Sequence, residues 1–168
     1  MQIETLFELW RGMRAESVTA VREFPAEAFD AEIIPGFMSF RKLNRHILEA
    51  GQILLAMLLD GVENFQAPET RAKFASYPET VPADVSQADL AAALEAGLEE
   101  RIGRLQAQPA EFWTRELTHF TGARVTMMEM LLLFRTHEAE HRAQAALLSR
   151  LQGIVPATTR KRQAPPKA

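Results

Sequence analysis

The chain has 168 residues, with 47% apolar and 24% charged side chains, ordinary values for one soluble domain large enough to bury a core. It contains no cysteine, which excludes disulfides, thiolate metal ligands, iron–sulfur clusters and cysteine nucleophiles, and fits a reducing cytoplasm. A net charge of −3 gives no electrostatic reason to expect nucleic-acid binding. The N-terminal stretch places acids among its apolar residues and does not read as a signal peptide, and no apolar run approaches the roughly 18–20 residues that span a bilayer.

Four helical segments follow from the apolar periodicity. In the first, Ile3, Leu6, Phe7, Trp10, Met13, Ser17, Val21 and Phe24 recur at three- and four-residue steps, and the stripe stops near Pro25. The second begins after Pro35-Gly36 and carries Phe40, Leu43, His46, Ile47, Ala50, Leu54, Met57 and Leu58 as far as Asp60-Gly61, a natural C-terminal stop. Residues 61–85, with Pro68, Pro78 and Pro82, form a long connection with a helical turn expected near Thr70–Ala75. The third segment opens at Ser86, carries Leu90, Leu94, Leu98, Arg101/Ile102 and Leu105, and ends before Pro109. Residues 109–124 read as extended or irregular. The fourth opens at Thr126, where Thr126-x-x-Glu129 is a capping box, and its stripe runs through Met130, Leu131, Phe134, His137, His141, Ala145 and Leu148 to Gly153. No strand pattern is long enough for a sheet. The expectation is an all-α four-helix bundle over residues 1–155, with a long connection between helices two and three. Residues 156–168, which hold Arg160, Lys161, Arg162 and Lys167 among prolines, read as a basic, disordered tail.

The four histidines are His46, His119, His137 and His141. His137 and His141 are one turn apart on one helix face, about 6 Å from each other, a spacing that can chelate one ion. Both continue an apolar stripe, as His46 does on the second helix. A single inward histidine is more often a core residue with one hydrogen bond. Three of them on two helices would each need buried partners, and a shared divalent ion satisfies one nitrogen of each.

His137-Glu138-x-x-His141 also matches the zinc-protease expression, in which Glu138 would be the general base. The chain after His141 contains no His, Asp or Glu, so the downstream ligand that such proteases use is missing. The third ligand must come from upstream. His46 is the better candidate, since an antiparallel arrangement can bring it level with the pair; His119 is the competitor and can line the pocket mouth.

With these residues in view, the chain resembles the DinB-like (YfiT-like) metal-dependent family. The resemblance rests on His46 early in helix two, His137-Glu-Ala-Glu-His141-Arg-Ala-Gln144 late in helix four, Gly122 and the capping box before that helix, and Gly153-Ile-Val-Pro156 after it. The family pattern is close to His-x-x-x-His-Arg-Gly-Gln; Ala143 stands at the glycine, a small-for-small change. The resemblance implies a four-helix bundle with an open site for a divalent ion, zinc or nickel foremost, on His46, His137 and His141. It also implies homodimers, and members that act as hydrolases or thiol-dependent transferases on small molecules. Any thiol would come from a low-molecular-weight cosubstrate, because the chain has none.

Side residues are more ambiguous. Glu138 lies about 100° around the helix from His137, as a catalytic acid or base beside the site or as a solvated surface residue. Glu49 could orient a ligand or be solvated, Gln144 could hydrogen-bond in the site, and Arg142 could pair with Glu138 or Glu49 or bind an acidic substrate. Trp10 and Trp113 read as core or interface. Two function classes are expected: a metal-dependent hydrolase or thiol S-transferase, or a non-catalytic, stress-related bundle that binds a metal or ligand.

Overall fold

The first apolar stripe becomes α1, Ile3–Glu23. The rest of the computed structural model, which describes residues 3–163, follows in chain order: α2 Phe40–Leu59, α3 Pro68–Phe74, α4 Gln87–Gln106, α5 Ala110–Thr114, β1 Glu116–Thr118, β2 Arg124–Thr126, α6 Met127–Leu151 and α7 Ala157–Gln163. The long helices α1, α2, α4 and α6 form the four-helix bundle. α1 and α2 each pack against both α4 and α6, so α1 lies diagonally from α2 and α4 from α6, while the 61–85 segment joins the adjacent helices α2 and α4.

Local chemistry sets the helix ends. Ser39 and Ser86 cap α2 and α4 by accepting from the Lys42 and Asp89 amides. Thr126 and Glu129 form the reciprocal capping box that starts α6. Gly61 and Gly153 follow α2 and α6 in the left-handed region, at φ 78° and 75°, where a side chain would be strained.

Two apolar clusters fill the bundle, one toward each end. Leu6, Trp10, Leu54, Ile102, Met130 and Phe134 belong to the first; Val21, Phe40, Ile47, Leu94 and Leu148 belong to the second. The N-terminal half of α2 shares its cluster with the C-terminal half of α6, so the two helices run antiparallel. Between the clusters lies a polar belt. α1 crosses it at Arg14 and Ser17, and α6 crosses it between Phe134 and Ala145.

Two differences from the sequence reading stand out. Residues 109–124 are not wholly irregular. They hold the one-turn helix α5 and a hairpin in which Leu117 pairs with Val125, closed by a turn at Gly122 with φ 89°. Strands of three residues are too short to show a period in sequence. The hairpin docks on the α2–α3 connection, with the Phe65 amide donating to Thr118 O at 2.9 Å and the Thr118 amide to Glu63 O at 2.7 Å. The segment expected as a disordered tail contains α7, held to α1 and α6 where Arg160 pairs with Glu23 at 2.6 Å and Arg150 donates to Thr159 Oγ1 at 2.9 Å. Lys167 lies outside the described residues. Among those residues no helix is long and apolar enough to cross a membrane.

Candidate metal centre

His46 enters the belt from α2, and His137 and His141 enter from α6. Their rings meet edge to face, with centroids 4.5 to 5.2 Å apart. His46 Nε2 is 3.4 Å from His137 Nε2, and His141 Nε2 is 3.1 Å from the same atom. The three candidate donor atoms lie within 4.8 Å of one another. Zinc–nitrogen bonds of about 2.0–2.1 Å in a tetrahedral site require nitrogen–nitrogen edges of about 3.3 Å, and the two closer edges match.

The protonation chemistry fits the same use. Burial, and then the neighbouring His141, push the His46 and His137 pKa values below the ordinary imidazole value, which favours the neutral, metal-ligating form. His141 Nδ1 lies 2.8 Å from Gln144 Oε1, an acceptor, so the ring proton sits on Nδ1 and the Nε2 lone pair faces the other two rings. All three histidines are half-buried, which leaves one side of the cluster accessible. The set holds no carboxylate and suits a divalent ion.

Glu138 goes elsewhere. It is neither a solvated surface residue nor a free base beside the histidines: it is 3% exposed. Arg14 Nε donates to its Oε1 at 2.5 Å and Arg14 Nη2 to its Oε2 at 2.6 Å, and Trp10 Nε1 donates to Oε2 at 2.8 Å. Arg101 Nη1 lies 3.9 Å from Oε2. Burial alone would raise the Glu138 pKa, but the Arg14 hydrogen bonds and charge, with Arg101 and Trp10 adding, hold it below the usual carboxylate range. A carboxylate ionised and engaged at both oxygens is structural. The carboxylate expected as an acid or base beside the histidines is thus placed in a buried ion pair with Arg14, with Trp10 as a second donor.

The other side residues also find partners. Glu49 accepts from the Thr80 and Val81 amides and the Thr80 hydroxyl, tying the long connection to α2. Arg142 pairs with Glu16 of α1, not with Glu138 or Glu49. Trp10 is core. His119, the competing ligand, is outside the three-nitrogen group and lines an adjacent cavity with His46 and His137.

The Trp10–Arg14–Arg101–Glu138 cluster was missed in the sequence. Two signals point to it: Arg101 on the apolar stripe of the third segment, and Arg14, four residues after Trp10 on the inward side of α1, both charges that need a partner.

No curated protein matches the chain. Among solved structures, the DinB-like protein YjoA from Bacillus subtilis superimposes with a TM-score of 0.68 at 18% identity, over 89% of this chain and 92% of its own. YfiT from Bacillus subtilis, described as a probable metal-dependent hydrolase with an unusual four-helix bundle topology, gives 0.68 at 17% identity over 91% and 89%. At these identities the likeness shows the fold. The family model described as "DinB family" matches residues 1–166, and the chain belongs to that family.

Proposed function

We propose that the protein binds a divalent ion through His46, His137 and His141, and that it is a metal-dependent enzyme acting on a small molecule, as a hydrolase or a thiol-dependent transferase. The observation that carries this reading is the convergence of three imidazoles, with edges of 3.1 and 3.4 Å, on a half-open face of the bundle. The ion would be zinc or nickel, both of which accept an all-imidazole set. A bound ion supplies Lewis acidity, polarising a carbonyl or lowering the pKa of a water or thiol. The chain's own part is to present three oriented nitrogens, with Gln144 fixing the His141 tautomer, and to leave the accessible side to the substrate. YfiT's printed description supports the hydrolase branch. For the transferase branch, the absence of cysteine means that any thiol is a small cosubstrate. We extend the reading to a cytoplasmic homodimer, in keeping with the cysteine-free composition and the family resemblance.

One observation favours a second reading, a non-catalytic metal- or ligand-binding bundle. The acid of the His-Glu-x-x-His stretch is locked in the core, and the histidine cluster has no carboxylate of its own. Assay of the zinc- and nickel-loaded protein on esters, amides and thiol-conjugation substrates, with and without chelator, separates the two. The enzyme reading expects turnover that disappears with the metal and in His141→Ala. Turnover that survives complete metal removal overturns it, and a fully loaded protein that turns over none of the panel selects the binding reading.

A further inference from the structure

Beside the histidines lies an apolar cavity of about 290 Å³. His46 and His137 form one side. Ala50 and Leu54 line it from the following turns of α2, Leu133 and Phe134 from the preceding turn of α6, Phe74 from α3 and Phe120 from the hairpin turn. Phe120 and Leu133 are 41% and 39% exposed, large apolar side chains that the fold leaves in contact with water. Scattered exposed hydrophobics need no explanation, but two sharing one concave site next to convergent polar groups mark a ligand contact. The cavity is at the lower limit of the roughly 300–1,000 Å³ usual for ligand sites, and larger than the roughly 150 Å³ that accommodates a benzene ring.

His119 adds the polar feature. The Thr121 amide donates to His119 Nδ1 at 3.2 Å, with the Thr121 hydroxyl 3.0 Å from the same nitrogen. Accepting that amide proton fixes the neutral tautomer with its hydrogen on Nε2. Nε2 has no hydrogen-bond partner among the described residues. The turn that carries the ring is itself fixed: Gly122 supplies its positive φ, Phe120 packs edge to face on Phe65 at 5.0 Å, and Gln66 Nε2 donates to Phe120 O at 3.3 Å.

We propose that this cavity is the substrate-selecting pocket of the metal centre. It takes a compact apolar group, an aromatic ring or a branched alkyl chain, next to the acceptor group that meets the ion, and His119 donates its Nε2–H to that acceptor as a substrate-binding residue. This inference rests on the metal reading above. Calorimetric titration of the zinc-loaded protein with benzohydroxamate and acetohydroxamate tests it, because both carry the same metal-binding group and only the first carries a ring. Benzohydroxamate is expected to bind about tenfold tighter or more. Leu133→Glu, at an exposed position, removes that preference while zinc content stays as in the wild type. His119→Ala weakens both hydroxamates by about three- to tenfold, and His119→Gln, which supplies an N–H, recovers part of the loss. Equal affinity for the two probes in a zinc-loaded protein overturns the pocket and leaves the metal reading standing. Unchanged binding in His119→Ala overturns the part given to His119. A wild-type protein that takes up no zinc removes both readings.

Discussion

His137 and Glu138 are neighbours in sequence, yet their side chains enter two different polar clusters of the bundle. Glu138 turns into a sealed group in which Trp10, Arg14 and Arg101 surround one carboxylate. Both of its oxygens accept hydrogen bonds, and the third Arg14 nitrogen, Nη1, donates to Leu94 O at 2.7 Å. His137 turns into a half-open group in which three ring nitrogens face one another and nothing in the cluster accepts or donates for all of them. The Glu138 carboxylate ties α1, α4 and α6 together through charge and hydrogen bonds, although Arg101 Nε and Nη1 have no hydrogen-bond partner. The three ring nitrogens converge within 4.8 Å of one another at the edge of an apolar cavity, the arrangement on which the metal proposal rests.

The contrast predicts that substitutions in the two clusters act on different observables. The largest effect belongs to Glu138→Ala. Removing the one carboxylate leaves Arg14 and Arg101 buried and uncompensated, so urea denaturation of the metal-free protein should show a loss of about 3–5 kcal/mol. A Glu138→Ala protein as stable as the wild type would mean that the cluster is not structural and would reopen a role for Glu138 at the metal.

Gly51→Ala probes the same cluster from α2. A Cβ there would run into the Arg101 guanidinium, inside a buried site where that group has little room to retreat. Overpacking should cost about 1–3 kcal/mol in the same denaturation assay. Gln144→Ala probes the other cluster. It removes the acceptor that orients His141, so zinc affinity should fall by about 10–100-fold while the stability of the metal-free protein is unchanged. A loss of stability with unaltered zinc affinity would put Gln144 with the packing residues.

The smallest effects are in acid titration of the metal-free protein, where the two clusters separate in pH. The His46 and His137 pKa values are depressed on folding, so the unfolded chain takes up their protons first; their contribution is complete above the ordinary value of 6.5 and is lost as pH falls through the folded values. Glu138 is also depressed on folding, and its contribution is present above the ordinary value of 4.5 and lost below it. Stability curves against pH should therefore show the histidine step first, and that step alone should disappear in a His46→Ala, His137→Ala double variant.

Most of the bundle was legible because its four long helices bury continuous apolar stripes, and periodicity is what sequence displays best. The same stripes exposed the histidines, since a polar residue in an apolar register is conspicuous. Glu138 was not legible: it lies about 100° from His137, off the stripe as drawn, and its partners come from α1 and α4, with Arg14 being 124 residues away. Arg14 lies beside the apolar stripe of α1, where a charged side chain does not count toward an apolar period. The hairpin and α7 were missed for another reason. Three-residue strands and a seven-residue helix are fixed by contacts with distant elements, as Thr118 is by Glu63 and Arg160 by Glu23, and carry no period of their own.

The central claim is that His46, His137 and His141 form one metal site that Glu138 does not share. The most direct measurement is elemental analysis of the purified protein after zinc or nickel loading and desalting, run beside the three single alanine variants with their stability measured in parallel. The account predicts a single ion per chain in the wild type, and loss of that ion in each variant with the fold intact. A folded wild-type protein that retains neither metal, or a His46→Ala variant that retains the full complement, would contradict it.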